Sequence, residues 1–311
     1  MRTFKITVAY DGSGFHGWQI QPGVPTIQGA LVDAAQTITQ EKIYLHGASR
    51  TDAGVHALGQ VAHFRSRSAL SALEFQRALN ALLPPTIRVL NAEETGQDFH
   101  SRWNALAKTY HYRIYRGRVL SPFDWKRTLH YPWPLDEDAM MDAARFFEGE
   151  HDFTSFAAST ESEEGERNPA RVIYRSEILR RQIFAAAESE QGAAGYELVY
   201  VVRGKSFLRY MVRKIVGTLL EAGRGRIPPA QIPEIMAMKD RARSGPTAPP
   251  EGLYLVSLEY PDVWAGEPWR AGAAIVAATA QSSALASASE SFRQVNRGGV
   301  QISGPSRTTP A

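Results

Sequence analysis

Apolar and polar residues alternate along several stretches of the chain, with the period of two that is typical of half-buried β-strands. The clearest are residues 3–10, 108–115 and 196–202, in which every second side chain is aliphatic or aromatic. Shorter apolar runs at 43–45, 61–64, 87–90, 172–179 and 251–256 also favour strands, because they are rich in β-branched and aromatic residues.

Four other stretches carry apolar residues every three or four positions, which predicts amphipathic helices. The first follows Thr26, a predicted N-cap, and the second, around residues 73–82, ends before Pro84-Pro85. The third covers 136–147 and the fourth 208–222, where it would place Arg209 and Arg213 on one face. The mixture predicts an α+β protein.

Composition narrows the class of protein. The chain has 311 residues, 43% of them hydrophobic, a formal charge of +3 and no cysteine, which excludes disulfides and thiolate metal sites. Neither a cleavable leader nor an apolar run long enough to span a membrane is present, so we expect a soluble, cytoplasmic protein. The acidic segment 160–169 is typical of a solvated loop, and the Ala- and Ser-rich residues 266–311 of a flexible tail.

Candidate chemistry centres on Asp52, which lies between the predicted strands 43–45 and 61–64 and hence on a loop. Arg50 is close enough in sequence to keep this carboxylate ionised, as a nucleophile or general base requires. Aspartate before Ala-Gly also commonly caps a turn with its own backbone, and spacing alone does not decide between these interpretations.

Other residues are open to more than one interpretation. Asp52 with His56 and His63 could bind a metal in a hydrolase, although their spacing is not a known ligand pattern. Phe15, His16 and Trp18 could stack on a base or fill the core. Arg102 and Trp103 combine a cation with an aromatic ring and could contact RNA.

Seven blocks of the sequence, taken together and in order, resemble the tRNA pseudouridine synthase A family over residues 1 to about 261. They are 10–19 (YDGSGFHGWQ), 50–57 (RTDAGVHA), 59–62 (GQVA), 108–112 (KTYHY), 149–156 (GEHDFTSF), 207–217 (FLRYMVRKIVG) and 251–256 (EGLYLV). Ser49 departs from the pattern, because many family members carry glycine there.

This resemblance implies the pseudouridine synthase fold: two similar domains, each an antiparallel sheet with helices on one side, that meet at an active-site cleft. We place the domains at 1–107 and 108–265, followed by the tail at 266–311. The matching positions imply that Asp52 is catalytic and that four residues bind substrate or shape the pocket: Arg50, Tyr110, Arg213 and Leu253. Arg213 would pair with Asp52, Tyr110 would stack on the target uracil, and Leu253 would pack beside the active-site pocket.

The resemblance also implies an activity and partners. The family isomerises uridine to pseudouridine at positions 38–40 of the tRNA anticodon stem-loop, without a cofactor or metal. Its enzymes are homodimers with RNA in a basic cleft between subunits. An RNA-binding module that has lost catalysis is the alternative, although the full set of implied site residues argues against it.

Overall fold

The computed structural model describes residues 1–158, 168–182 and 195–264. The predicted tail lies outside the described residues, and so do residues 160–167 of the predicted acidic loop. No helix in the described part of the chain is both long and apolar enough to cross a bilayer.

Ten strands and five α-helices make up the described fold. The strands are β1 Arg2–Tyr10, β2 His46–Gly47, β3 His56–Ser66, β4 Ile87–Thr95, β5 Ala107–Tyr115, β6 Leu129–His130, β7 Gly149–Asp152, β8 Ala170–Gln182, β9 Tyr196–Gly204 and β10 Leu253–Glu259. The helices are α1 Ile27–Thr39, α2 Ala72–Leu82, α3 Glu137–Arg145, α4 Met211–Gly223 and α5 Ile232–Met238.

All ten strands belong to one sheet, in the order β4-β1-β3-β10-β5-β9-β8-β7, with β2 beside β3 and β6 beside β5. Pairing is antiparallel except for β10 with β3 and β5 with β6. Helices pack on this sheet through a buried core in which, for example, the ring of Phe4 on β1 lies 4.5 Å from that of Phe75 on α2. The predicted α+β fold is confirmed.

Most predicted elements are present, and the N-cap at Thr26 is confirmed because its hydroxyl accepts the Gly29 N–H. The predicted strand at 43–45 is wrong. Ile43 and Leu45 are buried, but the Ile43 N–H and the Leu45 carbonyl bond to glutamine side chains of α1 instead of a neighbouring strand. The strand that pairs with β3 here is β2, one residue later.

The centre of the sheet is formed by a strand from the end of the described chain. β10 lies between β3 and β5, parallel to the first and antiparallel to the second. Strands of both predicted domains therefore share one sheet, and the division at residues 107 and 108 stays a prediction.

Candidate active site

The loop that carries Asp52 spans residues 48–55 and joins β2 to β3, next to the centre of the sheet. Its tip is a turn in which the Val55 N–H donates to the Asp52 carbonyl over 3.1 Å. Gly54 has φ +78°, a left-handed conformation that glycine adopts without strain. The turn is closed by the main chain of Asp52, so its carboxylate is available for other contacts.

That carboxylate faces Arg213, in the first turn of α4, with 3.1 Å between Asp52 Oδ2 and Arg213 Nη1. The two side chains are only 21% and 13% exposed. The Arg213 Nε–H also donates to the Ala248 carbonyl over 2.7 Å, so the guanidinium is held from two sides. The structure therefore places an enclosed ion pair where the sequence predicted catalytic chemistry.

Burial and the neighbouring positive charges have opposite effects on the pKa of Asp52. Removal from water raises the pKa of its carboxyl group above the ordinary value, and the nearby charges of Arg213 and Arg209 pull it back only in part. Asp52 is thus more basic than an exposed aspartate, while Arg213 stabilises its ionised form.

Arg209 reaches this site by a different route from the one predicted. Tyr210 has φ +63°, a left-handed conformation that cannot be part of an α-helix, so the helix begins only at Met211. Arg209 therefore lies before the helix and does not share a helix face with Arg213. Instead both guanidinium groups lie near the Tyr210 ring, 4.9 and 5.2 Å from its centroid. Arg209 is exposed at the edge of the site.

Tyr110, on β5, is linked directly to the Asp52 loop. Its hydroxyl lies 2.8 Å from the Ser49 hydroxyl, and its ring is 6% exposed and edge-on to Phe207 at 5.1 Å. Burial raises the pKa of Tyr110 to about 12, helped by the charge of Asp52. The tyrosine therefore stays protonated at neutral pH.

A second tyrosine holds the loop on the other side of Arg50. The hydroxyl of Tyr10, on β1, lies 2.8 Å from that of Thr51. Gln60 of β3, fully buried, donates to the Ser49 carbonyl and accepts its N–H. Residues 49 and 51 are thus both fixed, while Arg50 between them is exposed. Within the described residues Arg50 pairs with no carboxylate. The charges that act on Asp52 come from Arg213, in α4, and from Arg209, just before that helix.

Leu253, the first residue of β10, is 6% exposed and pairs with Tyr112 of β5 in the main core. Its neighbour Tyr254 pairs with His56 of β3. Leu253 therefore lies where β10 bridges the strand that follows the Asp52 loop and the strand that carries Tyr110.

The alternative metal ligands are not brought together. His56 Nδ1 accepts the Gly12 N–H over 3.1 Å, and His63 Nδ1 lies 3.0 Å from the Ser101 hydroxyl. Burial lowers the pKa of both rings, that of His63 to about 3. Across residues 1–158, 168–182 and 195–264, no three His, Asp or Glu side chains are grouped as ligands of a metal ion.

The aromatic candidates divide between core and surface. Trp18 is 1% exposed and fills the core beside Gly47, where a Cβ atom would lie 2.4 Å from its ring. Trp103 is 78% exposed and stacks on His100 with 3.8 Å between ring centroids. Trp103 is therefore open to RNA, as is the exposed His16, whereas Phe15 is half-buried.

Two buried polar residues of the site were missed by the sequence analysis. Gln60 and Lys108 lie in apolar strands, and a polar residue at a core-facing strand position is the signal that could have indicated them. The Lys108 ammonium donates to the Ala48 carbonyl over 2.7 Å, and burial lowers its pKa to about 8. Both residues support the main chain just before Asp52.

Comparison with known proteins identifies the family. Residues 6–104 and 143–261 match the family model described as tRNA pseudouridine synthase. The chain belongs to this family. Among curated proteins, the tRNA pseudouridine synthase A of Solibacter usitatus is 48% identical over 260 residues, which are 84% of this chain and 100% of that protein. Those of Moorella thermoacetica and Acetivibrio thermocellus are 42% and 41% identical, with the same two shares covered.

A solved Cbf5-Nop10-Gar1 complex contains a chain with a TM-score of 0.30 and 15% identity, over 70% of this chain and 45% of that one, a likeness too distant to bear on the site. The predicted family and enzyme class are confirmed by the sequence matches: the protein is an isomerase that acts on tRNA.

Proposed function

We propose that this chain isomerises uridine to pseudouridine at positions 38–40 of the tRNA anticodon stem-loop, with Asp52 as its catalytic group. The observation that carries the proposal is the enclosed Asp52–Arg213 pair, set beside the buried Tyr110 hydroxyl. A carboxylate made more basic by burial, yet kept ionised by an arginine, is suited to attack or to proton removal.

The reaction breaks the N1–C1′ glycosidic bond, turns the detached uracil and joins its C5 to C1′, while the hydrogen on C5 leaves as a proton and N1 gains one. No atom is lost overall, so the protein needs no second substrate. Ionised Asp52 acts at the ribose or at the uracil, and Arg213 stabilises its charge before and after that step.

The remaining predicted residues act on the position of the base. The target nucleotide must leave its helical stack before its glycosidic bond is accessible. Exposed Arg50 helps to displace it, the ring of Tyr110 stacks on the uracil, and Leu253 closes the apolar side of the pocket. Stacking offsets part of the cost of unstacking, and Trp103 with Arg102 adds a contact to RNA outside the pocket.

The proposed setting is the cytoplasm, with tRNA as partner, no small-molecule cofactor and a homodimer that binds RNA in a basic cleft between subunits. Lys and Arg side chains along such a cleft would neutralise phosphates, so binding should weaken as salt rises.

The test is conversion of an anticodon stem-loop transcript, with uridines at the three positions, by the purified protein and by Asp52→Asn, in the presence of EDTA. We expect pseudouridine from the wild type and none from Asp52→Asn, which should still bind RNA. Asp33→Asn, an exposed aspartate on α1, is the matched control and should convert normally.

Each other outcome has a definite meaning. Full conversion by Asp52→Asn would remove Asp52 from the reaction. Binding without conversion by the wild type would favour the RNA-binding module. If the wild type converts uridines of intact tRNA elsewhere but not these three, the assigned positions are wrong.

A further inference from the structure

We infer that Ser49 is a positioning residue for Tyr110 in the isomerisation, a role that rests on the proposed function. The two hydroxyl oxygens are 2.8 Å apart, between the loop that carries Asp52 and strand β5. This is the direct side-chain link between the catalytic loop and the tyrosine that would contact the base.

The Ser49 hydroxyl is itself held in place. Gln60 is fully buried and bonds both main-chain polar groups of Ser49, accepting its N–H over 3.2 Å and donating to its carbonyl over 2.7 Å. Lys108 donates to the carbonyl of the preceding residue, Ala48. The position of the Ser49 oxygen is therefore set by the sheet, and it offers Tyr110 a fixed partner.

Tyr110 depends on that partner. Its side chain is 6% exposed, and Ser49 is the one hydrogen-bond partner of its hydroxyl within the described residues. A buried hydroxyl without a hydrogen bond is unfavourable, and the ring would tilt or shift toward another polar group. A ring that must lie flat against a base loses catalytic rate from a displacement of about 1 Å.

A residue without a hydroxyl at position 49 would leave the loop without this contact to Tyr110. The serine adds a hydrogen bond that acts on the base-stacking residue instead of on RNA binding. Its effect should appear in the chemical step and should require the hydroxyl of Tyr110.

The chain provides a matched control in a second serine–tyrosine pair. The Ser176 and Tyr200 hydroxyls, on β8 and β9, are 2.9 Å apart and buried against α3, where Ser176 also donates to the Ala144 carbonyl. Ser176→Ala removes the same kind of contact without touching the Asp52 loop. It separates loss of stability from loss of positioning.

The experiment is a double-mutant cycle of Ser49→Ala and Tyr110→Phe, with Ser49→Thr and Ser176→Ala alongside. Each full-length protein is given tRNA labelled with tritium at uracil C5, and tritium release is followed under single-turnover conditions at several enzyme concentrations. The curves give a maximal rate and a half-saturating concentration, and thermal unfolding gives stability.

We expect Ser49→Ala to lower the maximal rate about three- to tenfold, the effect of one hydrogen bond, while the half-saturating concentration changes less than about twofold. In the Tyr110→Phe background the same substitution should have no further effect. Ser49→Thr should restore much of the rate, and Ser176→Ala should lose stability but keep the rate.

Three results would overturn the inference: an equal loss from Ser49→Ala in both backgrounds, a change in half-saturating concentration alone, or an unchanged rate. All three presuppose tritium release by the wild type. If the wild type releases none, the proposed function itself has failed, and the two failures are thereby distinguished.

Discussion

At the scale of single residues, the site depends on opposing effects on one carboxyl group. Burial favours neutral Asp52, whereas Arg213 and Arg209 favour the ionised form. An arginine suits this position because its guanidinium stays charged when enclosed, and its planar group can bind the carboxylate and the Ala248 carbonyl at once. The charges that favour ionised Asp52 therefore come from α4 and from the residues just before it, and not from Arg50, its neighbour in sequence.

This arrangement predicts how the pH dependence responds to Arg213→Gln. Loss of the guanidinium removes the main influence that lowers the pKa of Asp52, so that pKa rises and more of the carboxyl group is protonated at a given pH. The acid side of the rate profile should move to higher pH by about one unit or more. Single-turnover rates from about pH 5 to about pH 9 measure this.

Arg145→Gln is the control for that profile, because Arg145 pairs with Asp142 on the surface and is 76% exposed. Its profile should match the wild type. An acid side that stays in place in Arg213→Gln, with only the maximal rate reduced, would show that Arg213 contacts substrate instead of adjusting Asp52.

At the scale of elements, the sequence predicts those helices and strands that depend on local periodicity. It does not predict those whose bounds depend on contacts with residues far away in the chain. α1 and α2 could be predicted because their apolar faces repeat every three to four residues, with Thr26 as the cap of the first helix and Pro84-Pro85 after the second. Residues 43–45 have the β-branched and aromatic content of a strand, yet their main chain bonds to α1 side chains. The start of α4 was placed too early because apolar periodicity continues through Tyr210, whose left-handed backbone no pattern reveals.

For the candidate site too, the sequence predicts what is local and misses contacts between distant segments. Asp52 and Arg213 could be indicated by motifs, because each is recognisable within its own block. The Ser49–Tyr110 and Tyr10–Thr51 contacts could not, because each joins residues that are more than forty positions apart in the chain and depends on strand register. The same holds for β10, whose place between β3 and β5 is a long-range pairing.

The loop after β1 also contacts the loop that carries Asp52, which leads to a prediction for Gly17→Ala. Gly17 has φ +88°, and a Cβ atom there would lie 2.6 Å from the Thr51 carbonyl oxygen. The substitution should therefore displace residues 51–52, and we expect conversion to fall by at least about tenfold. The rate of conversion and the midpoint of thermal unfolding are the measurements.

Gly23→Ala is a close control for this prediction. Gly23 has φ +75° but nothing within 4 Å of its Cβ position, so the variant carries the backbone strain without the collision. Both should lose about 1 kcal/mol of stability from strain, and only Gly17→Ala should lose most of its activity. Equal losses of activity would mean that the contact with Thr51 has no catalytic importance.

At the scale of the whole molecule, the site is assembled from three distant segments. Asp52 comes from the loop between β2 and β3, Tyr110 from β5 and Arg213 from the first turn of α4. β10 holds the first two together, since it pairs with β3 on one side and with β5 on the other. A truncated variant that keeps β10 and folds should therefore still contain the complete site.

A truncation tests this conclusion. Residues Met1–Gly272 form one compact unit, and the Solibacter usitatus relative aligns over its whole length with 260 residues of this chain. We expect residues 1–272 alone to convert tRNA at a rate within about twofold of the full chain, because this compact unit contains every described residue of the site. A shorter variant that ends at residue 250 lacks β10 and should neither fold cooperatively nor convert tRNA. Circular dichroism and tritium release on the three proteins give the answer, and a folded but inactive 1–272 would assign residues 273–311 a part in catalysis or tRNA binding.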